Sequence, residues 1–132
     1  MPYNHMDEFI DILFNVDKES DLDCKKVRKA AIFIWNDSFY TVANLTYDPK
    51  EVALAAILQG AEIIDVLYPG KKYYDMDKFR ERAAKSGKAV QELNKYWFKN
   101  LDPSIDIKSV NEIICMIYQF YEKIKEDSKL TN

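Results

Sequence analysis

Apolar residues recur along the chain at steps of three and four, and no long stretch alternates at period two, so the pattern predicts helices throughout. Phe9, Ile10, Leu13 and Phe14 form one stripe on a short first helix over residues 6–16, followed by a polar connection over 18–23. Residues 22–45 read as a second helix with a wide apolar surface. Val27, Ala30, Ala31, Ile34, Ser38, Val42 and Leu45 lie on one face, and Ile32, Trp35, Phe39 and Ala43 on the adjacent one. Such breadth implies contact with several neighbours. Asn36-Asp37-Ser38 interrupts this helix midway, where short polar side chains compete with backbone hydrogen bonds and are tolerated when they tie to another element.

The third helix has the clearest start. Asp48-Pro49-Lys50-Glu51 supplies an N-cap acceptor, a first-turn proline and a capping-box glutamate in order. From 52 to 67 the sequence is apolar nearly all round. Ala53, Ala56 and Gly60, with Ala55 and Ala61, put small residues on most faces, so neighbouring backbones can approach closely. This is the expected central, surrounded helix, ending before Tyr68-Pro69-Gly70. A further stripe of Phe79, Ala83, Val90, Leu93, Trp97 and Leu101 continues the helical pattern, with Ser86-Gly87 as a point where it can split. The last helix is expected over 106–125, carried by Ile107, Val110, Ile114, Ile117, Phe120, Tyr121 and Ile124, and residues 127–132 are expected to fray.

At 132 residues the chain has room for one domain, taken as 6–126, with a flexible tail at 127–132. Residues 1–5, which end at a His5-Met6 junction, read as an expression remnant. The formal charge of −3 disfavours a dedicated nucleic-acid or anionic-membrane binder. Charge is uneven, however. Residues 71–88 carry seven Lys or Arg against three Asp or Glu, a local net of +4 that leaves −7 on the rest. Lys71, Lys72, Lys78, Arg80 and Arg82, with Tyr73 and Tyr74 as the aromatics expected to be exposed, read either as a solvated loop or as the candidate partner surface.

The chemistry of the common enzyme classes is missing. His5 is the one histidine, so no His-based acid–base pair, triad or His-rich metal site can be assembled. Gly60, Gly70 and Gly87 are too scattered to cradle a phosphate, and no cofactor motif is present. Asp21 with Asp23 and Asp75 with Asp77 read as solvated turn acids, not catalytic dyads. Cys24 and Cys115, without CxxC spacing, read as reduced, packed thiols of an intracellular protein. No apolar run reaches the roughly 18–20 residues that span a bilayer, so no membrane partner is expected.

Trp35-Asn36-Asp37-Ser38-Phe39, about ten residues before Tyr47-Asp48-Pro49-Lys50-Glu51-Val52-Ala53, resembles the second cyclin box of transcription cyclins of the C, K, L and T types. Asn36, Asp37, Ser38, Pro49, Val52, Ala53 and Ala55 match that pattern by type and spacing, whereas Trp35 lies directly beside the triplet, a local departure. Trp97, Ile113 or Ile114, Ile117 and Tyr121 resemble the family's final segment, and the likeness covers roughly residues 6–125. The resemblance implies an all-α fold of five main helices around a central Ala-rich helix, with a further short helix allowed within 71–90. It also implies a nuclear, non-catalytic regulatory subunit of a cyclin-dependent kinase that phosphorylates the repeat tail of RNA polymerase II.

In that family the first box makes most of the kinase contact, so a chain with room for one box is expected to be part of a longer protein. A third subunit or a substrate is the further partner the resemblance allows. Asn36, Asp37, Ser38, Asp48 and Pro49 are then helix-junction residues of structural role. The alternative is a cyclin-like factor that binds nucleic acid through 71–88.

Overall fold

The structure, a computed structural model, describes residues 4–14, 21–38, 43–70, 72–85 and 97–130. These fold into an all-α arrangement: α1 (Asn4–Phe14), α2 (Asp21–Ser38), α3 (Ala43–Thr46), α4 (Pro49–Leu67), α5 (Met76–Lys85), a short 3-10 helix at Trp97–Asn100, and α6 (Ile107–Leu130). Among the described residues there is no strand.

α4 starts where its sequence signals place it. The Asp48 side chain accepts from the backbone N–H of Lys50 at 2.9 Å, Pro49 occupies the first turn, and the Tyr68 N–H closes the far end on the Ile64 carbonyl. Every residue from 51 to 61 is buried, and α4 packs against α1, α2, α3 and α6. Small residues make this enclosure possible. A Cβ added at Gly60 would lie 3.0 Å from the Ala31 backbone nitrogen and 3.3 Å from its Cα, so the α2 backbone passes directly over this position. Leu54 and Ile57 are fully buried beside them, each worth about 1.5–3 kcal/mol.

Several expectations are corrected. The Asn36-Asp37-Ser38 triplet closes the described part of α2, and residues 39–42, between it and Ala43–Thr46, lie outside the described residues. The buried Ser38 hydroxyl donates back to the Trp35 carbonyl. Val42, Leu45 and Phe39 on the expected faces, the Asp21/Asp23 pair, and Val90, Leu93 and the Ser86-Gly87 split lie outside the residues or side chains described.

Glu51 does not close a capping box on its own helix. Its carboxylate reaches instead to the Asp106 N–H at 2.9 Å, just ahead of α6. On α6 the buried stripe is Val110, Ile113 and Ile117, while Ile124 is exposed and the helix continues to Leu130, past the residue where fraying was expected. Cys24 is buried, but Cys115 is exposed, because it falls between the inward positions 113 and 117. No helix among the described residues is long and apolar enough to cross a membrane. α1 begins at Asn4, so residues 4 and 5 belong to a helix.

Candidate protein-binding groove

The tyrosines of the basic segment are not exposed as expected. Tyr73 is only 5% exposed, and Tyr74 packs against the core, edge-on to Phe79 at 5.8 Å. Asp65 on α4 is the cause: its carboxylate accepts both the Tyr73 and Tyr74 backbone N–H groups and draws the connection inward. Burial in turn raises the Tyr74 hydroxyl pKa above its ordinary value. Arg82 turns inward as well, donating to the Leu13 carbonyl at 2.9 Å, where α1 has no basic residue of its own in the last turn. Arg80 is half-buried and lies 3.8 Å from Asp77. Lys72 and Lys78 are exposed, and Lys71 lies outside the described residues.

The junction residues act between helices. The Tyr121 hydroxyl on α6 donates to Asp37 at 2.7 Å, and burial together with that carboxylate pushes the phenol well above its usual range. Asn36 is exposed beside it. At the start of α4, Lys50 pairs with Asp102 at 3.2 Å, Glu51 holds Asp106, and Tyr47 donates to Glu112 of α6. Hydrogen bonds from Ser104 and Lys50 outweigh burial at Asp102 and lower its pKa. The two motif regions therefore fasten α2 and α4 to α6 and its approach.

What remains open to solvent is a groove of about 350 Å³ between α2 and the C-terminal half of α4, closed at one end by Tyr121. Its inner surface comes from Ala30, Ile34, Ile63 and Ile64, residues that are buried or half-buried. Phe33, 62% exposed, and Leu67, 64% exposed, stand at its sides with Tyr68. Lys26 and Lys29 form its rim. Lys26 sits over the Tyr68 ring, 4.2 Å from the centroid, a cation–π contact that leaves its charge at the mouth. A second concavity of similar size on the other side of Phe33 adds Lys25 and Arg28 to the same face.

The acids nearest the groove are already engaged. Asp37 takes the Tyr121 hydroxyl, Asp65 the loop amides, and Glu62 the Tyr118 hydroxyl at 2.7 Å. Burial, then that bond to Glu62, pushes Tyr118 up to about 12. Among the described residues no carboxylate pairs with Lys26 or Lys29, so the rim is cationic while the interior is apolar. The sequence carried a signal for this surface in Lys25-Lys26-Val27-Arg28-Lys29, four basic residues in five, but the apolar stripe through α2 read as core. That segment is wide enough to serve both, and Phe33 is the position turned outward.

Among the described residues no metal site is assembled. His5 lies on α1 with its ring 6.3 Å from that of Phe9, and no group of three His, Cys, Asp or Glu side chains could hold a metal. Asp75 accepts from the Lys78 N–H at the start of α5, and Asp77 is exposed beside Arg80. No family model, curated protein or solved structure matches this chain.

Proposed function

We propose that this chain is a non-catalytic cyclin-box domain, the second box of a nuclear regulatory subunit of a cyclin-dependent kinase that phosphorylates the RNA polymerase II repeat tail. The observation that carries the reading is the enclosure of α4. An Ala-rich helix begins at Asp48-Pro49 and is surrounded by α1, α2, α3 and α6, with Gly60 against the α2 backbone. This is the arrangement the resemblance implies for its central helix. The Asn36-Asp37-Ser38 and Asp48-Pro49 regions support it from the sequence side, since Asp37 ties α2 to Tyr121 of α6 and Asp48 caps α4.

In such a subunit the box supplies surface, not chemistry, and stabilises the complex while presenting a site to a further subunit or substrate. The test is affinity capture from nuclear extract with the tagged chain, followed by an assay of the retained material on a heptad-repeat peptide of the polymerase tail. Retention of repeat-tail kinase is expected. Because the first box makes most of the kinase contact in that family, a chain that is folded by circular dichroism and retains neither that kinase nor any other subunit of its complex overturns the reading.

A further inference from the structure

We infer that the groove between α2 and α4 is a docking site for an acidic amphipathic peptide, one whose bulky apolar side chains are flanked by Asp or Glu. This goes beyond the cyclin-box reading and stands without it. The volume, about 350 Å³, is in the range that takes large side chains or drug-sized groups. Phe33 and Leu67 stand more than half exposed at its sides, large apolar side chains on either helix of the same groove.

Charge selects the partner. Lys26 and Lys29 are one turn apart on α2 and carry no carboxylate partner among the described residues, and they are the charged side chains of the groove lining, which includes no Asp or Glu. A basic peptide would meet two ammonium groups at the rim and no carboxylate in the lining. An acidic one would complete the rim while burying its apolar residues inside. The chain's overall charge of −3 does not oppose this at close range, because at physiological salt charges beyond about 8 Å are screened and the rim dominates. An extended nucleic acid is disfavoured by the apolar interior, which offers no continuous track of cations for a phosphate backbone.

The experiment measures fluorescence anisotropy of a labelled peptide of about fifteen residues, with Leu and Phe at i, i+3, i+4 and i+7 and Glu on the flanks. A twin with Lys in place of Glu is the charge control. The account expects the acidic peptide to bind and its twin not to. Lys26→Glu with Lys29→Glu weakens binding about tenfold, a difference that shrinks as salt is raised. Phe33→Ala weakens it about tenfold or more with little salt dependence, whereas Lys72→Glu with Lys78→Glu changes nothing. Circular dichroism confirms that each variant folds.

Failure of the acidic peptide to bind overturns the proposal, as does equal binding of the basic twin. Phe33-dependent self-association in sedimentation equilibrium, without peptide binding, would assign the groove to a second copy. Displacement of the peptide by polyuridylate at comparable concentration would assign it to nucleic acid. These readouts do not involve a kinase, so their failure is distinct from failure of the cyclin-box reading.

Discussion

Gly60 and Gln59 are neighbours on α4 and show opposite sides of a crowded core. At Gly60 the space for a side chain is taken by the Ala31 backbone, which cannot rotate away as a flexible side chain could. Gly60→Val should therefore force α2 and α4 apart and lower stability by about 1–3 kcal/mol, read as a fall in the urea midpoint at unchanged slope. Gln59 is 1% exposed, and its amide, which lies beside the Tyr118 hydroxyl, makes no hydrogen bond of good geometry. Such a group retains its desolvation cost, so Gln59→Met should stabilise the protein by about 1–3 kcal/mol. A lower midpoint for this variant would show that the amide is paired.

Between elements, polar side chains act across junctions more than along their own helix. Asp48 caps α4 locally, and Asp48→Ala should cost about 0.5–2 kcal/mol by chemical denaturation. Arg82 ties α5 to the end of α1, so Arg82→Ala should cost about 1–3 kcal/mol. Lys72→Glu with Lys78→Glu, changes on exposed positions, should stay within about 0.5 kcal/mol per site. Thermal melts of the two variants separate a structural role for the basic segment from a surface one.

This division explains what was legible in the sequence. Helix class, the start and end of α4 and its central place follow from periodicity, caps and small residues, all local signals. The inward turn of Tyr73 depends on Asp65, eight residues away, and the reach of Glu51 to Asp106 spans 55 residues. No pattern within a single segment encodes either bond. The groove was hidden for a related reason, because exposure of Phe33 depends on how α4 and α6 pack beside α2.

For the whole molecule, raised tyrosine pKa values make stability depend on alkaline pH, most strongly at Tyr118 and Tyr121. Tyr118 and Tyr121 are held protonated by burial and by the carboxylates they donate to, Glu62 and Asp37, so their folded pKa values lie above the unfolded value of about 10. The folded state then binds more protons than the unfolded state above pH 10. Their contribution is fully present below pH 10 and is lost as pH rises through about 12, where Tyr118 titrates in the fold. Tyr118→Phe with Tyr121→Phe should flatten the fall in melting temperature over that window. A fall as steep as in the parent chain would place its origin elsewhere.

Enclosure of α4 underlies both the proposed function and the geometry of the groove. Native-state amide hydrogen exchange tests it most directly. Amides of residues 53–61 should exchange only through global unfolding, with protection equal to the full unfolding free energy, while those over 122–128 on the exposed end of α6 exchange by local opening. If residues 53–61 exchange as fast as the end of α6, α4 is not the centre of this fold, and the cyclin-box reading falls with it.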